Sequence, residues 1–216
     1  MTYLEVVNEV LTRLRQDPIT GIIGEDDESA KMVIKLVNDA KTKVENAHNW
    51  SVLRKEWNLT TVDSQKRYDL LDSHNYIKVE SMSNEDAGYW IEQTSTKQMK
   101  QKHWGPQVAG NPLFFTVSGA ASNGNATVDV WPLPKAGVSL SVEGFQNQDT
   151  LTADGDILLV PALPVIYEAL AMAARERGEV GGQTALEIFG VAKQYLMDAV
   201  ALDGALSPLD NIWYSV

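Results

Sequence analysis

The chain has 216 residues, 44% hydrophobic and 22% charged, an ordinary globular composition and enough length for one large domain or two small ones. Its 18 basic and 29 acidic residues give a net charge of −11, which argues against a nucleic-acid-binding surface, and the absence of cysteine excludes disulfides and thiolate metal sites. No stretch approaches the roughly 20 apolar residues of a membrane-spanning helix, and the start lacks the features of a signal peptide.

The first element reads as a helix. Thr2 and Glu5 form a capping box, Leu4, Val7, Leu11 and Leu14 recur at helical spacing, and Asp17-Pro18 ends the run. A loop from Ile19 to Gly24 leads to the acidic run Glu25-Asp26-Asp27-Glu28, whose charge suits a helix N-terminus. The second helix carries Met32, Val33, Leu36, Val37, Ala40, Val44 and Ala47 on one face and closes at His48-Asn49-Trp50.

From about Trp57 the period becomes two. Strands are expected at Trp57 to Val62, Arg67 to Leu70, Tyr76 to Met82 and Tyr89 to Ile91. A short helix is expected in the lysine-bearing stretch Thr94 to His103. Further strands follow at Leu113 to Ser118, Ala126 to Trp131 and Val138 to Phe145, the first two joined by a turn at Ser122-Asn123-Gly124-Asn125. The chain turns at Asp154-Gly155-Asp156. One helix then begins near Pro164, and another, opened by a capping box at Thr184 to Glu187, runs to Gly204.

The expected fold class is therefore α+β: an antiparallel helical bundle from the N- and C-terminal helix pairs, with an inserted antiparallel β subdomain and an extended C-terminal tail. The expected boundaries are a discontinuous helical domain over 1–52 and 157–204, a β subdomain over 53–156, and a tail over 205–216. No internal repeat is present.

Catalytic signatures are missing. His48, His74 and His103 are far apart, and no nucleophile elbow or phosphate-binding glycine motif occurs. Glu25 to Glu28 reads as a helix cap and Asp154-Gly155-Asp156 as a turn. No catalytic residue, metal or cofactor is expected. Six tryptophans, Trp50, Trp57, Trp90, Trp104, Trp131 and Trp213, exceed what one small core needs, and read as core and interface fillers or as a stacking platform for sugars.

The last dozen residues are the least ordinary. Leu206, Leu209, Ile212, Trp213, Tyr214 and Val216 make the C-terminus apolar where chain ends are usually polar, and Pro208 discourages a continued helix. Such a segment packs back on its own domain or anchors on a partner.

Four stretches together resemble the head-to-tail adaptor of short-tailed bacteriophages, the tail tubular protein A family. They are the opening helix Glu5 to Leu14 with its Pro/Gly loop, the long helix Asp27 to Trp50, the strands Phe114 to Val117 and Val128 to Pro134, and Pro161 to Gly178. The resemblance implies a structural virion protein of the neck, assembled in the host cytoplasm. It implies a ring, usually of twelve copies, beneath the portal protein, extending the DNA channel and docking the tail nozzle protein. Genomic DNA would pass without sequence-specific binding, and no membrane is involved. On this reading Leu206, Leu209, Ile212, Trp213, Tyr214 and Val216 bind the portal, and Glu25, Asp26, Asp27 and Glu28 are candidates to line the channel. Two alternatives stand beside it: a neck or head-completion protein of a long-tailed phage, and a carbohydrate-active tail protein.

Overall fold

In a computed structural model the chain is described over residues 1–72, 77–106, 108–176 and 183–206. It divides into two units. One comprises Met1–Leu53 with Gln148–Val216, the other Arg54–Asn147.

The first unit is helical. Helix α1 (Tyr3–Arg13) is opened by the capping box of Thr2 and Glu5. Helix α2 (Glu28–Ala47) starts at Asp27, whose side chain accepts from the Ala30 N–H at 2.8 Å. It ends three residues before Trp50, because His48 is extended. Trp50 then buries its ring and donates to the Val44 carbonyl at 2.8 Å, and a short 3-10 turn, Ser51–Leu53, follows.

The core of this unit joins Val6, Val7 and Val10 of α1 to Val33, Val37, Ala40 and Val44 of α2. Val165, Ile166 and Ala169 complete it from the next helix, Ala162–Glu176. Tyr3 donates to the Ile34 carbonyl at 2.6 Å and accepts from Asn38. Burial first, then the negative charges of Asp156 and Asp39, push the Tyr3 hydroxyl up to about 12. Asn38 also exchanges two bonds of 3.0 Å with the Leu151 backbone, which fastens the incoming strand-like segment to α2. Lys41 is fully buried and satisfied: it donates to both oxygens of Glu45 and to the Gln148 carbonyl at 2.7 Å.

The second unit is a seven-stranded sheet with one helix. Its strands are β1 (Arg54–Thr60), β2 (Arg67–Asp69), β3 (Ile77–Asn84), β4 (Tyr89–Gln93), β5 (Phe114–Ala120), β6 (Ala126–Trp131) and β7 (Ser139–Gln146). Helix α3 (Thr96–Trp104) lies between β4 and β5. The strand order is β1-β7-β3-β4-β5-β6-β2, and the sheet curls into a nearly closed barrel. Tyr68 of β2, at one edge, accepts from the Val62 N–H at 3.1 Å, just past β1 at the other. Trp57, Leu70, Met82, Ile91, Phe115, Val128, Val130, Leu140 and Val142 fill the interior. At the β3–β7 crossing only glycine fits position 144, since a Cβ there would lie 2.5 Å from the Lys78 carbonyl oxygen.

These features overturn the expected fold class. The architecture is mixed α and β, a near-barrel of seven strands with five α-helices among the described residues, and not a helical bundle carrying an antiparallel insert. The decisive pair is β4–β5, which is parallel, with Glu92 opposite Phe114 and Gln93 opposite Phe115. Parallel neighbours need a crossover, and α3 supplies it. Alternation along a strand reports which residues point inward, but not the direction of the partner.

The expected stop at Gly204 is also corrected. The last two helices are α4 (Ala162–Glu176) and α5 (Gln183–Leu206), and α5 runs through both Gly190 and Gly204. A helical glycine costs about 1 kcal/mol, and tertiary contacts around Asp203 offset that cost at the C-terminal end.

Candidate interaction surfaces

Helix α5 packs along α4, and Leu196, Ala199 and Val200 are its partly buried contacts with the helical core. Two clusters hold it. Tyr195 stacks on Tyr167 of α4 at 4.7 Å, and Arg13 of α1 donates to the Tyr167 hydroxyl at 2.8 Å. Near the C-terminal end, Asp203 Oδ1 accepts from the Ser51 hydroxyl at 2.6 Å, and Oδ2 accepts from the Ser51 N–H at 3.1 Å. His48 Nε2 lies 3.1 Å from Asp203 Oδ2. Burial alone would raise the Asp203 carboxyl. The Ser51 bonds and His48 outweigh it, and the carboxyl is held below its ordinary value.

The rest of α5 is open, with Glu187, Lys193, Gln194 and Asp198 exposed among apolar side chains. Leu186, Val191, Met197 and Leu202 are exposed, and a Cβ added at Gly190 or Gly204 would meet no atom within 4 Å. Here Ala192 is the one fully buried apolar residue of α5 among those described.

A second open surface lies on the β unit. Ile91, Phe115 and Val130 point into the barrel, so their neighbours Glu92, Phe114 and Trp131 point out. The pairings of Glu92 with Phe114 and of Phe114 with Trp131 set these three in a row across β4, β5 and β6. Helix α3 crosses this face, capped by Ser95 and Gln98, with Met99 buried beneath it. The Lys102 ammonium sits 3.8 Å from the Phe114 ring centroid and 4.6 Å from that of Trp131. A cavity of about 420 Å³ opens here, lined by Glu92, Thr94, Gln98, Gln101, Lys102 and Phe114. Trp104, 81% exposed, follows on α3, and Trp90, 67% exposed, precedes on β4. Below α3, Arg67 holds Asp129 through two bonds of 2.7 and 2.9 Å. Burial and the nearby Lys66 charge keep the His103 imidazole below its usual range, with Asp129 acting in opposition.

The tryptophans therefore divide. Trp50 and Trp57 are core, Trp131 is half-buried, and Trp90 and Trp104 are exposed. His48 and His103 lie on different units, while His74 falls outside the described residues. Asp154 accepts from the Ile22 N–H at 2.7 Å, and Asp156 accepts from Thr152 and Ala153, so both carboxylates shape a turn.

Among the acidic run, Glu25 accepts from the Asp26 and Asp27 N–H groups, Asp27 caps α2, and Glu28 pairs with Lys31 at 3.0 Å. The portal-binding candidates Leu209, Ile212, Trp213, Tyr214 and Val216 lie outside the described residues. Leu206 is the last residue of α5. Sequence reasoning passed over the α5 face and the α3 cavity. The signal for the first was the density of apolar residues from Leu186 to Leu202.

The family model described as SU10 adaptor protein matches residues 1–208. The chain belongs to the SU10 adaptor protein family. This is a family of bacteriophage head-to-tail adaptors, so the chain is a structural component of the virion that works in contact with other virion proteins. A comparison with curated proteins returns no match.

Proposed function

We propose that this adaptor forms a ring beneath the portal protein, extends the DNA channel and offers a docking surface to the tail nozzle. Attachment to the portal is made by the C-terminal segment, with Leu206, Leu209, Ile212, Trp213, Tyr214 and Val216 as anchors. The observation that carries this reading is α5. It presents Leu186, Val191, Met197 and Leu202 to solvent and ends at Leu206, where the apolar segment begins. The domain of 1–52 and 157–204 would face the portal, the β domain of 53–156 would serve contacts within the ring and toward the tail, and 205–216 would be the anchor.

The test is removal of Leu209 to Val216. The truncated chain is expected to keep its far-ultraviolet circular dichroism and its melting temperature, and to lose binding to purified portal. Global unfolding of the truncated chain would mean that the segment packs on its own core.

A further inference from the structure

The two units differ sharply in charge. Residues 54–147 contain nine basic and ten acidic residues, a net of −1. The helical unit contains nine basic and nineteen acidic residues, a net of −10. Within the near-neutral β unit, α3 carries Lys97, Lys100 and Lys102 and no acidic residue. Among the described residues none of the three forms an ion pair. Lys102 lines the cavity floored by Phe114, with Glu92 on its wall and the exposed Trp104 further along α3. Apolar surface beside a helix whose charges are all positive fits a partner that is apolar and acidic.

The complementary surface is on the other unit. Ile23 is 79% exposed, the most exposed large aliphatic side chain among the described residues. Asp26, Asp27 and Glu28 follow it, all exposed. Ile23 and Asp26 are separated by at most about 10 Å of chain. Lys97 and Lys102 are separated by about 7.5 Å along α3. A loop that seats Ile23 in the cavity brings Asp26 within reach of Lys102.

We infer that the α3 face of one copy receives the Ile23–Glu28 loop of a second copy, as the repeating head-to-tail contact of a ring. The contact is heterologous, so it propagates from copy to copy until the ring closes. It rests on the adaptor reading above. It also moves Glu25 to Glu28 from the channel wall to the seam between subunits, where their charge meets lysine.

The absence of cysteine gives a direct test. Ile23→Cys and Gln101→Cys are introduced together, and virus particles carrying the variant are oxidised. The expected result is a covalent ladder of two, three and more copies, with each single-cysteine variant stopping at two. Lys97→Glu with Lys100→Glu should lower ladder yield about tenfold or more. Adding Asp26→Lys and Glu28→Lys should restore it. A fast-migrating monomer would show that loop and helix meet within one chain and would overturn the contact. Particles that retain the protein in the neck but give no ladder would overturn it as well, leaving the adaptor reading in place. Wild-type protein missing from the neck would overturn that reading itself.

Discussion

Helices α2 and α5 are of similar length, 20 and 24 residues, yet they treat their apolar side chains differently. Helix α2 turns Val33, Val37, Ala40 and Val44 into the core and gives its other face to lysine, asparagine and glutamate. Helix α5 packs Leu196, Ala199 and Val200 on the core, is held further by contacts at Tyr195 and Asp203, and still leaves Leu186, Met197 and Leu202 in solvent. The contrast separates two uses of apolar surface. On α2 it makes the fold. On α5 only part of it does, so the exposed remainder is available for assembly.

The largest effect expected is on α2. Val37 has no exposed surface and lies among Val residues of α1 and α4. Val37→Asp removes its burial and puts a carboxylate where no donor waits. A loss of about 4–5 kcal/mol is expected, enough to unfold a marginally stable domain. Urea denaturation checks it. A cooperative transition within about 1 kcal/mol of wild type would show that α2 is not the organising helix.

Much of this contrast was legible in the sequence. The apolar stripe of α2 is regular, and Thr2 with Glu5 announced α1. The strands were legible by period, and Ala126 to Trp131 coincides with β6. The sheet's closure was not, because closure depends on which edges meet, and a two-residue period is silent on that. The parallel β4–β5 pair stayed hidden for the same reason, although the helix that makes it possible was visible at Thr94 to His103. The outward-facing row of Glu92, Phe114 and Trp131 follows from pairing register, which no single strand contains. Gly204 misled because a glycine commonly ends a helix, while here Asp203 beside it bonds to Ser51, 152 positions away. The Asp203–Ser51 contact cannot be read from local sequence.

That contact gives the middle effect. Asp203→Ala removes the acceptor of the Ser51 hydroxyl and N–H, and should cost about 1–2 kcal/mol at neutral pH. The pH dependence has a definite sign. The folded-state value of Asp203 lies below its ordinary 3.8, so its contribution is present above about pH 4 and is lost as pH falls through the folded-state value. Asp156, lowered by bonds from Ala153 and Thr152, acts in the same direction. The informative quantity is therefore the difference between wild type and variant. That difference should shrink below pH 4. A difference that persists undiminished at pH 2 would assign the effect to packing and not to the carboxylate.

The smallest effect on stability should come from the outer face of α5, where the argument for assembly is most exposed to failure. Met197 is 62% exposed and Leu202 70% exposed. Replacing both by Ser removes little buried area, so the change in stability should stay within about 0.5 kcal/mol. Two exposed apolar side chains on one helix, with no contact of their own to lose, have no reason to matter to an isolated subunit. If they belong to a surface covered in the assembled neck, the double variant should melt like wild type and bind portal more weakly, by about tenfold for each anchor-grade contact removed. Equal binding with equal stability would confine attachment to the residues beyond Leu206. Reduced stability with equal binding would place α5 with α2, as a helix whose apolar side chains serve the fold.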